Sequence, residues 1–146
     1  MKILIFGAGS IGVYLGTLLY SKNHEVTLLG RKKLKRLNET ILIGETPYKL
    51  PKRIYLIPQS ENFDYIFITS KLYDLQNNLQ LILKNNLKTN YLVSIQNGIV
   101  EEELYKPYVK NSKFTSISVF EGFRLIENQL IASYSKIGWK TDNSEV

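Results

Sequence analysis

With 146 residues, 44% of them hydrophobic and 22% charged, the chain has the composition of one globular domain with its own core, which excludes a disordered protein. No apolar run approaches the roughly eighteen residues of a membrane span, and Lys2 leads into a strand pattern rather than a signal sequence, so a cytoplasmic protein with no membrane partner is expected. The lack of cysteine excludes disulfides, thiolate metal sites and a cysteine nucleophile, and the net charge of +6 has a single dense cluster, which argues against nucleic acid as a partner.

Residues 2–6 form an unbroken apolar run, the pattern of a strand buried on both faces. Gly7-Ala8-Gly9-Ser10-Ile11-Gly12 follows, then an amphipathic helix to about Lys22 with Ile11, Leu15, Leu18 and Leu19 as its buried stripe. A second strand over 26–29 ends at Gly30-Arg31. G-x-G-x-x-G between a strand and a helix, inside one strand-helix-strand unit, is the pattern of a dinucleotide site. Gly7 permits the sharp turn, Gly9 lets backbone approach a pyrophosphate, and Gly12 lets the helix lie close to the strand. The free N–H groups of the first helical turn and the helix dipole then face the phosphates.

The end of the second strand bears on which dinucleotide is bound. An acid there holds the ribose 2′-OH of NAD, whereas a cation suits the 2′-phosphate of NADP. No acid lies between Glu25 and Glu39, and Arg31 offers a planar fork with Lys32 and Lys33 beside it. NADP (NADPH) is therefore the expected cofactor, with a solvated helix face as the other use of this charge run.

Residues 32–39 suit a short helix. Short strands over 41–43, 48–50 and 53–57, separated by Gly44, Pro47, Pro51 and Pro58, suit a small antiparallel insert. The only histidine, His24, lies in a turn and carries no expected chemistry. Residues 65–69 are another buried strand, ending in Ser70-Lys71. A helix with Leu72, Leu75, Leu79, Ile82 and Leu83 on one face follows. The strand over 91–95 ends in Gln96-Asn97-Gly98, and Glu101 to Glu103 crowd the first turn of a short helix. Residues 114–123 and 129–134 read as strands with a turn at Glu127-Asn128. Ile137-Gly138-Trp139 starts a further strand, and 140–146 is a polar tail.

The expected fold is α/β: a Rossmann-type doubly wound, mostly parallel sheet with helices on both faces and a small antiparallel insert, over residues 1–139. Functional groups of such sheets collect at the carboxyl ends of the strands, which brings the glycine turn, Lys71 and Asn97 to one edge. For Lys71 and Asn97, a solvated lysine and an ordinary Asn-Gly turn are the alternatives.

Taken together, M-K-I-L-I-F-G-A-G-S-I-G, N-H-E-V leading to Arg31, Thr69-Ser70-Lys71, Gln96-Asn97-Gly98 and the late strand pair resemble the N-terminal domain of the ketopantoate reductase (2-dehydropantoate 2-reductase) family. The resemblance implies NADPH-dependent reduction of a small-molecule 2-keto acid to a 2-hydroxy acid, on the way to pantothenate. By the same resemblance Gly7, Ala8, Gly9, Ser10, Ile11 and Gly12 bind the pyrophosphate and Arg31 the 2′-phosphate. Lys71 binds the cofactor, Asn97 lies near its reactive ring, and Gly122 contributes backbone. Phe120-Glu121-Gly122 departs from the family, which often has histidine or small residues there.

Family members continue into an all-helical domain that carries the lysine acid. This chain stops before it, so no catalytic residue and no metal ligand are assigned here, and the chain alone is expected to be inactive. A non-catalytic NADP(H)-binding module is the alternative function. Self-association through an exposed docking surface, as a homodimer, is the expected consequence of a missing domain.

Overall fold

The structure is a computed structural model that describes residues 1–98, 100–134 and 138–141. Its main sheet comprises β1 (Lys2–Phe6), β2 (Glu25–Leu29), β5 (Lys52–Ile54), β6 (Asn62–Ile68), β7 (Lys88–Gln96), β8 (Lys113–Val119) and β11 (Trp139–Thr141), in the order β11-β8-β7-β6-β1-β2-β5. All neighbours run parallel except β11, which is antiparallel to β8. Strand order reverses about β1, so a crevice opens where chain leaves β1 for one face and β6 for the other.

Alternate residues of β1 feed two cores, as the period of a strand dictates. Leu4 and Phe6 pack with Ile66, Ile68 and the α2 (Leu75–Lys84) residues Leu75, Leu79 and Ile82. Ile3 and Ile5 pack on the opposite face with Val26, Leu28 and Val13 of α1 (Ser10–Ser21). The doubly wound α/β architecture expected from the strand and helix pattern is therefore present.

A second sheet covers the far side of α1. It contains β3 (Thr40–Ile43), β4 (Thr46–Lys49), β9 (Gly122–Ile126) and β10 (Gln129–Ser133), in the order β4-β3-β10-β9. Ile41 and Leu130 join the α1 core from this sheet, with Phe123 and Leu125 packed beside them. The helix is thus enclosed on two sides, and an enclosed helix has no single apolar stripe. Its most buried positions are Gly12, Val13, Gly16 and Thr17, while Ile11, Leu15, Leu18 and Leu19, expected to form the stripe, are half-buried.

Four further expectations are corrected. The strand over 53–57 belongs to the main sheet, where β5 pairs in parallel with β2, so only β3 and β4 form the insert hairpin. Residues 114–123 are two strands in different sheets, β8 and β9, because the chain turns away at Phe120-Glu121. Leu83 is 50% exposed and does not share the buried face of α2. Lys140 and Thr141, expected in a polar tail, pair with Ser118 and Ile117. Ile137 and residues 142–146 lie outside the described residues. A short helix α3 (Glu102–Tyr105) carries Glu102 and Glu103 in its first turn as expected. Among the described residues no helix is long and apolar enough to cross a membrane.

Candidate functional site

The glycine turn is built by contacts from three strands. Gly7 has φ +100°, and a Cβ there would lie 2.9 Å from the Ser70 nitrogen, so only glycine fits. The amides of Gly7 and Ala8 both donate to the Leu29 carbonyl, at 3.0 and 2.9 Å, which ties the turn to the end of β2. From β6, the Thr69 amide donates to the Phe6 carbonyl and its hydroxyl donates to the Gly7 carbonyl at 2.8 Å. A Cβ on Gly12 would come within 2.6 Å of that hydroxyl oxygen, so the helix can sit against the strand ends only without one.

The same geometry presents amides to the crevice. The α1 helix starts after Gly9 with no side-chain cap, and the N–H of Val13 is the first to find a helical acceptor, on Gly9. The N–H groups of Ser10, Ile11 and Gly12 therefore lack intrahelical partners, at the positive end of the helix dipole. In front of them the space is open: a Cβ on Gly9 would meet nothing within 4 Å. A pyrophosphate fits this arrangement, since it needs close backbone approach and amide donors.

Around this point lies a cleft of about 880 Å³. It brings together Gly7, Ala8, Gly9, Ser10, Ile11, Arg31, Lys71, Asn97 and Gly122; Gly12 alone among the expected site residues does not line it and instead packs beneath, against Thr69 and Ile5. Lys33, not Lys32, joins Arg31 on the cleft wall. The segment carrying both is a 3-10 turn over Lys32–Arg36, clamped from β5: Arg53 Nη1 donates to the carbonyls of Leu34 at 3.2 Å and Leu37 at 2.7 Å, and its other nitrogen pairs with Glu39. Arg53 is thus consumed structurally, and among the described residues Arg31 and Lys33 are the cations that line the cleft at the β2 end.

At the β6 and β7 ends, Lys71 and Asn97 are exposed. Gly98 has φ +132° and its carbonyl accepts the Ser118 hydroxyl at 3.1 Å, so the Asn-Gly turn is real and it is the glycine that takes the positive φ. Gln96 also lines the cleft, is 2% exposed, and its Nε2 has no hydrogen-bond partner among the described residues. A buried amide donor left open beside a ligand cleft is a ready contact for a polar ligand group.

Three contributors were given no role from the sequence. Thr69 and Asn78 act indirectly: Asn78, buried on α2, donates to the Ser70 hydroxyl at 2.6 Å and fixes the segment before Lys71. Nothing but a polar residue on the apolar face of a helix signalled it. Glu121 stands at the far end of the cleft and accepts the Trp139 indole N–H at 2.6 Å. Next to it, Tyr14 packs on Phe123 with ring centroids 4.7 Å apart. Burial first, then the Tyr134 hydroxyl and the Glu121 carboxylate, raise the Tyr14 phenol above its ordinary pKa. Among the described residues no group of three His, Asp or Glu could hold a metal ion.

A family model described as ketopantoate reductase PanE/ApbA matches residues 3–137. The 2-dehydropantoate 2-reductase of Pyrococcus horikoshii is 34% identical over 106 residues, 70% of this chain and 35% of that protein. In solved structures, the PanE/ApbA family ketopantoate reductase from Ralstonia eutropha JMP134 matches with TM-score 0.75 and 17% identity, covering 92% of this chain and 47% of its own. D-mandelate dehydrogenase with NADH and anilino(oxo)acetate matches with TM-score 0.73 and 20% identity, over 92% and 46%. The chain therefore spans about a third of the length of the curated relative and under half of these structures. With a family match over nearly its whole length, the chain belongs to the ketopantoate reductase family.

Proposed function

We propose that residues 1–139 form the NADPH-binding part of an oxidoreductase that reduces a 2-keto acid, 2-dehydropantoate or a similar compound, to a 2-hydroxy acid. One observation carries this reading: the uncapped start of α1 faces open space at Gly9, inside a cleft with its cations at the β2 end. The amides of Ser10, Ile11 and Gly12 hold the pyrophosphate. Arg31, with Lys33, takes the 2′-phosphate by charge-assisted hydrogen bonds. Lys71 and Asn97 orient the half of the cofactor that lies toward β7.

The bound nicotinamide supplies the hydride, and the protein supplies orientation and electrostatics. Reduction also needs a proton donor within hydrogen-bond reach of the carbonyl oxygen. No residue of the cleft is assigned that role, and we place the general acid in the part of the relatives' length that this chain does not span. The relatives' names support the keto acid, whereas the NADH of the D-mandelate dehydrogenase structure makes NADPH over NADH a question for Arg31.

Calorimetric titration of this chain with NADPH and NADH, followed by NADPH oxidation assays on a longer form of the gene product with a panel of 2-keto acids, tests the reading. Binding of NADPH with turnover by the longer form supports it. Binding without turnover in any form moves the assignment to a nucleotide-binding module, and no binding removes it.

A further inference from the structure

The charged residues along the cleft are unevenly placed. Arg31 and Lys33 follow β2 and Lys71 follows β6, while Glu121 follows β8. Asp74, the other acid on the wall among the described residues, sits in the turn after Lys71. In the order β8-β7-β6-β1-β2, four strand intervals of about 4.8 Å separate the Arg31 end from the Glu121 end, roughly 19 Å. A dinucleotide with its 2′-phosphate at Arg31 and its pyrophosphate at the α1 start runs its other half toward β7 and β8, the direction in which the cleft continues past Gln96 and Asn97 to Glu121.

Glu121 is held in place. Its Oε2 accepts the Trp139 indole N–H at 2.6 Å, and Trp139 stands edge-on to Phe123, which packs on Tyr14 of α1. The Phe120 amide donates to the Gly138 carbonyl at 3.2 Å, so the backbone on both sides of the pair is fixed as well. A carboxylate positioned by an indole and an aromatic stack is a preorganised charge, and a preorganised charge acts on a ligand without the cost of reorienting.

We propose that Glu121 sets the preference of this cleft between the two redox forms of the cofactor: its carboxylate favours the oxidised nicotinamide, which carries a positive ring, over the neutral reduced ring. The inference rests on the cofactor reading above. A fixed negative charge in a partly desolvated cleft interacts with a cationic ring and has no equivalent interaction with a neutral one. Glu121 is therefore a positioning and tuning residue for product-state cofactor, placed where the resemblance leads one to expect a histidine or a small side chain.

The test uses this chain and reads binding, not turnover. Dissociation constants for NADP+ and NADPH are measured by calorimetry for the parent protein, Glu121→Gln, Trp139→Phe and the control Glu127→Gln, whose carboxylate lies on the β9–β10 turn outside the cleft. The expected result is that Glu121→Gln weakens NADP+ relative to NADPH by about threefold or more. Trp139→Phe, which keeps an aromatic ring but frees the carboxylate, shifts the ratio the same way by less, and Glu127→Gln leaves it unchanged. An unchanged ratio in Glu121→Gln, or a shift toward NADP+, with both cofactors still binding overturns this inference and leaves the cofactor reading standing. Failure of the parent protein to bind either cofactor overturns both.

Discussion

The hydroxyl of Thr69 donates a 2.8 Å hydrogen bond to the carbonyl of Gly7, joining the end of β6 to the turn after β1. The same carbonyl accepts the Gly9 amide at 2.7 Å, so one oxygen holds the turn closed from two directions. Thr69→Val keeps the shape and removes the donor. It is expected to destabilise the fold by about 0.5–1.5 kcal/mol in denaturant melts and to weaken NADPH binding, while Thr69→Ser restores both.

Gly9 and Gly12 separate binding from packing. Gly9→Ala places a methyl in open space at a φ of −82°, so its melting behaviour stays within about 0.5 kcal/mol of the parent. Its NADPH affinity falls by about tenfold or more, the loss of one charge-assisted contact at roughly 1.5–3 kcal/mol. Gly12→Ala forces a methyl to 2.6 Å from Thr69 Oγ1 and 3.0 Å from the Gly7 carbonyl, and costs about 1–3 kcal/mol of stability by overpacking. If Gly9→Ala binds NADPH as tightly as the parent, the pyrophosphate does not lie there.

Arg31→Ala is expected to abolish a preference for NADPH over NADH, a loss of roughly 1.5–3 kcal/mol. Lys33→Ala should reduce it by less. Both effects should shrink with salt, since both side chains are exposed. Competition titrations at two ionic strengths measure this, and equal affinity of the parent for the two cofactors defeats the Arg31 assignment.

Tyr14 provides a pH readout of the wall beside Glu121. Its phenol is raised by burial and by the neighbouring Tyr134 and Glu121, so the folded protein binds this proton more tightly than the unfolded chain does. The contribution to stability is fully present below the ordinary tyrosine range and is lost as pH rises through the raised value. Tyr14→Phe should remove a component of the tyrosinate absorbance that titrates above the ordinary tyrosine range. Loss of amplitude in the ordinary tyrosine range instead would show that Tyr14 is not enclosed.

Much of the site was legible because its signals are local. The run from Lys2 to Gly12 encodes strand, turn and helix start within a dozen positions, and the cleft gathers Arg31, Lys71 and Asn97 because parallel strands end at one edge. What the sequence hid are relationships between distant residues. Strand-forming residues run on through Val119-Phe120 to Phe123, and only Glu121-Gly122 marks the point where the chain passes from β8 to another sheet. Likewise, Lys52–Ile54 reads like its neighbours in the insert, and only its pairing with Thr27–Leu29 assigns it to the main sheet. The thin face of α1 at Gly12 and Gly16 was legible in the glycine spacing, whereas the half-burial of Ile11, Leu15, Leu18 and Leu19 was not, because it depends on the second sheet closing over the helix. Arg53 looks like a surface residue, and Asn78 like a misplaced polar one on an apolar helix face, until their acceptors, the Leu34 and Leu37 carbonyls and Ser70, are in place.

The parallel pairing of β10 with β3, Gln129 against Leu42 and Leu130 against Ile43, has a consequence for how the molecule is made. During synthesis β3 must wait without its β10 partner, and the part of α1 that Leu130 and Phe123 cover stays open, until β9 and β10 leave the ribosome. Contacts this far apart in sequence close slowly. A nascent chain halted before Gln129 would therefore hold Ile41 and Val13 half-clad, a stage that leaves apolar surface open to aggregation.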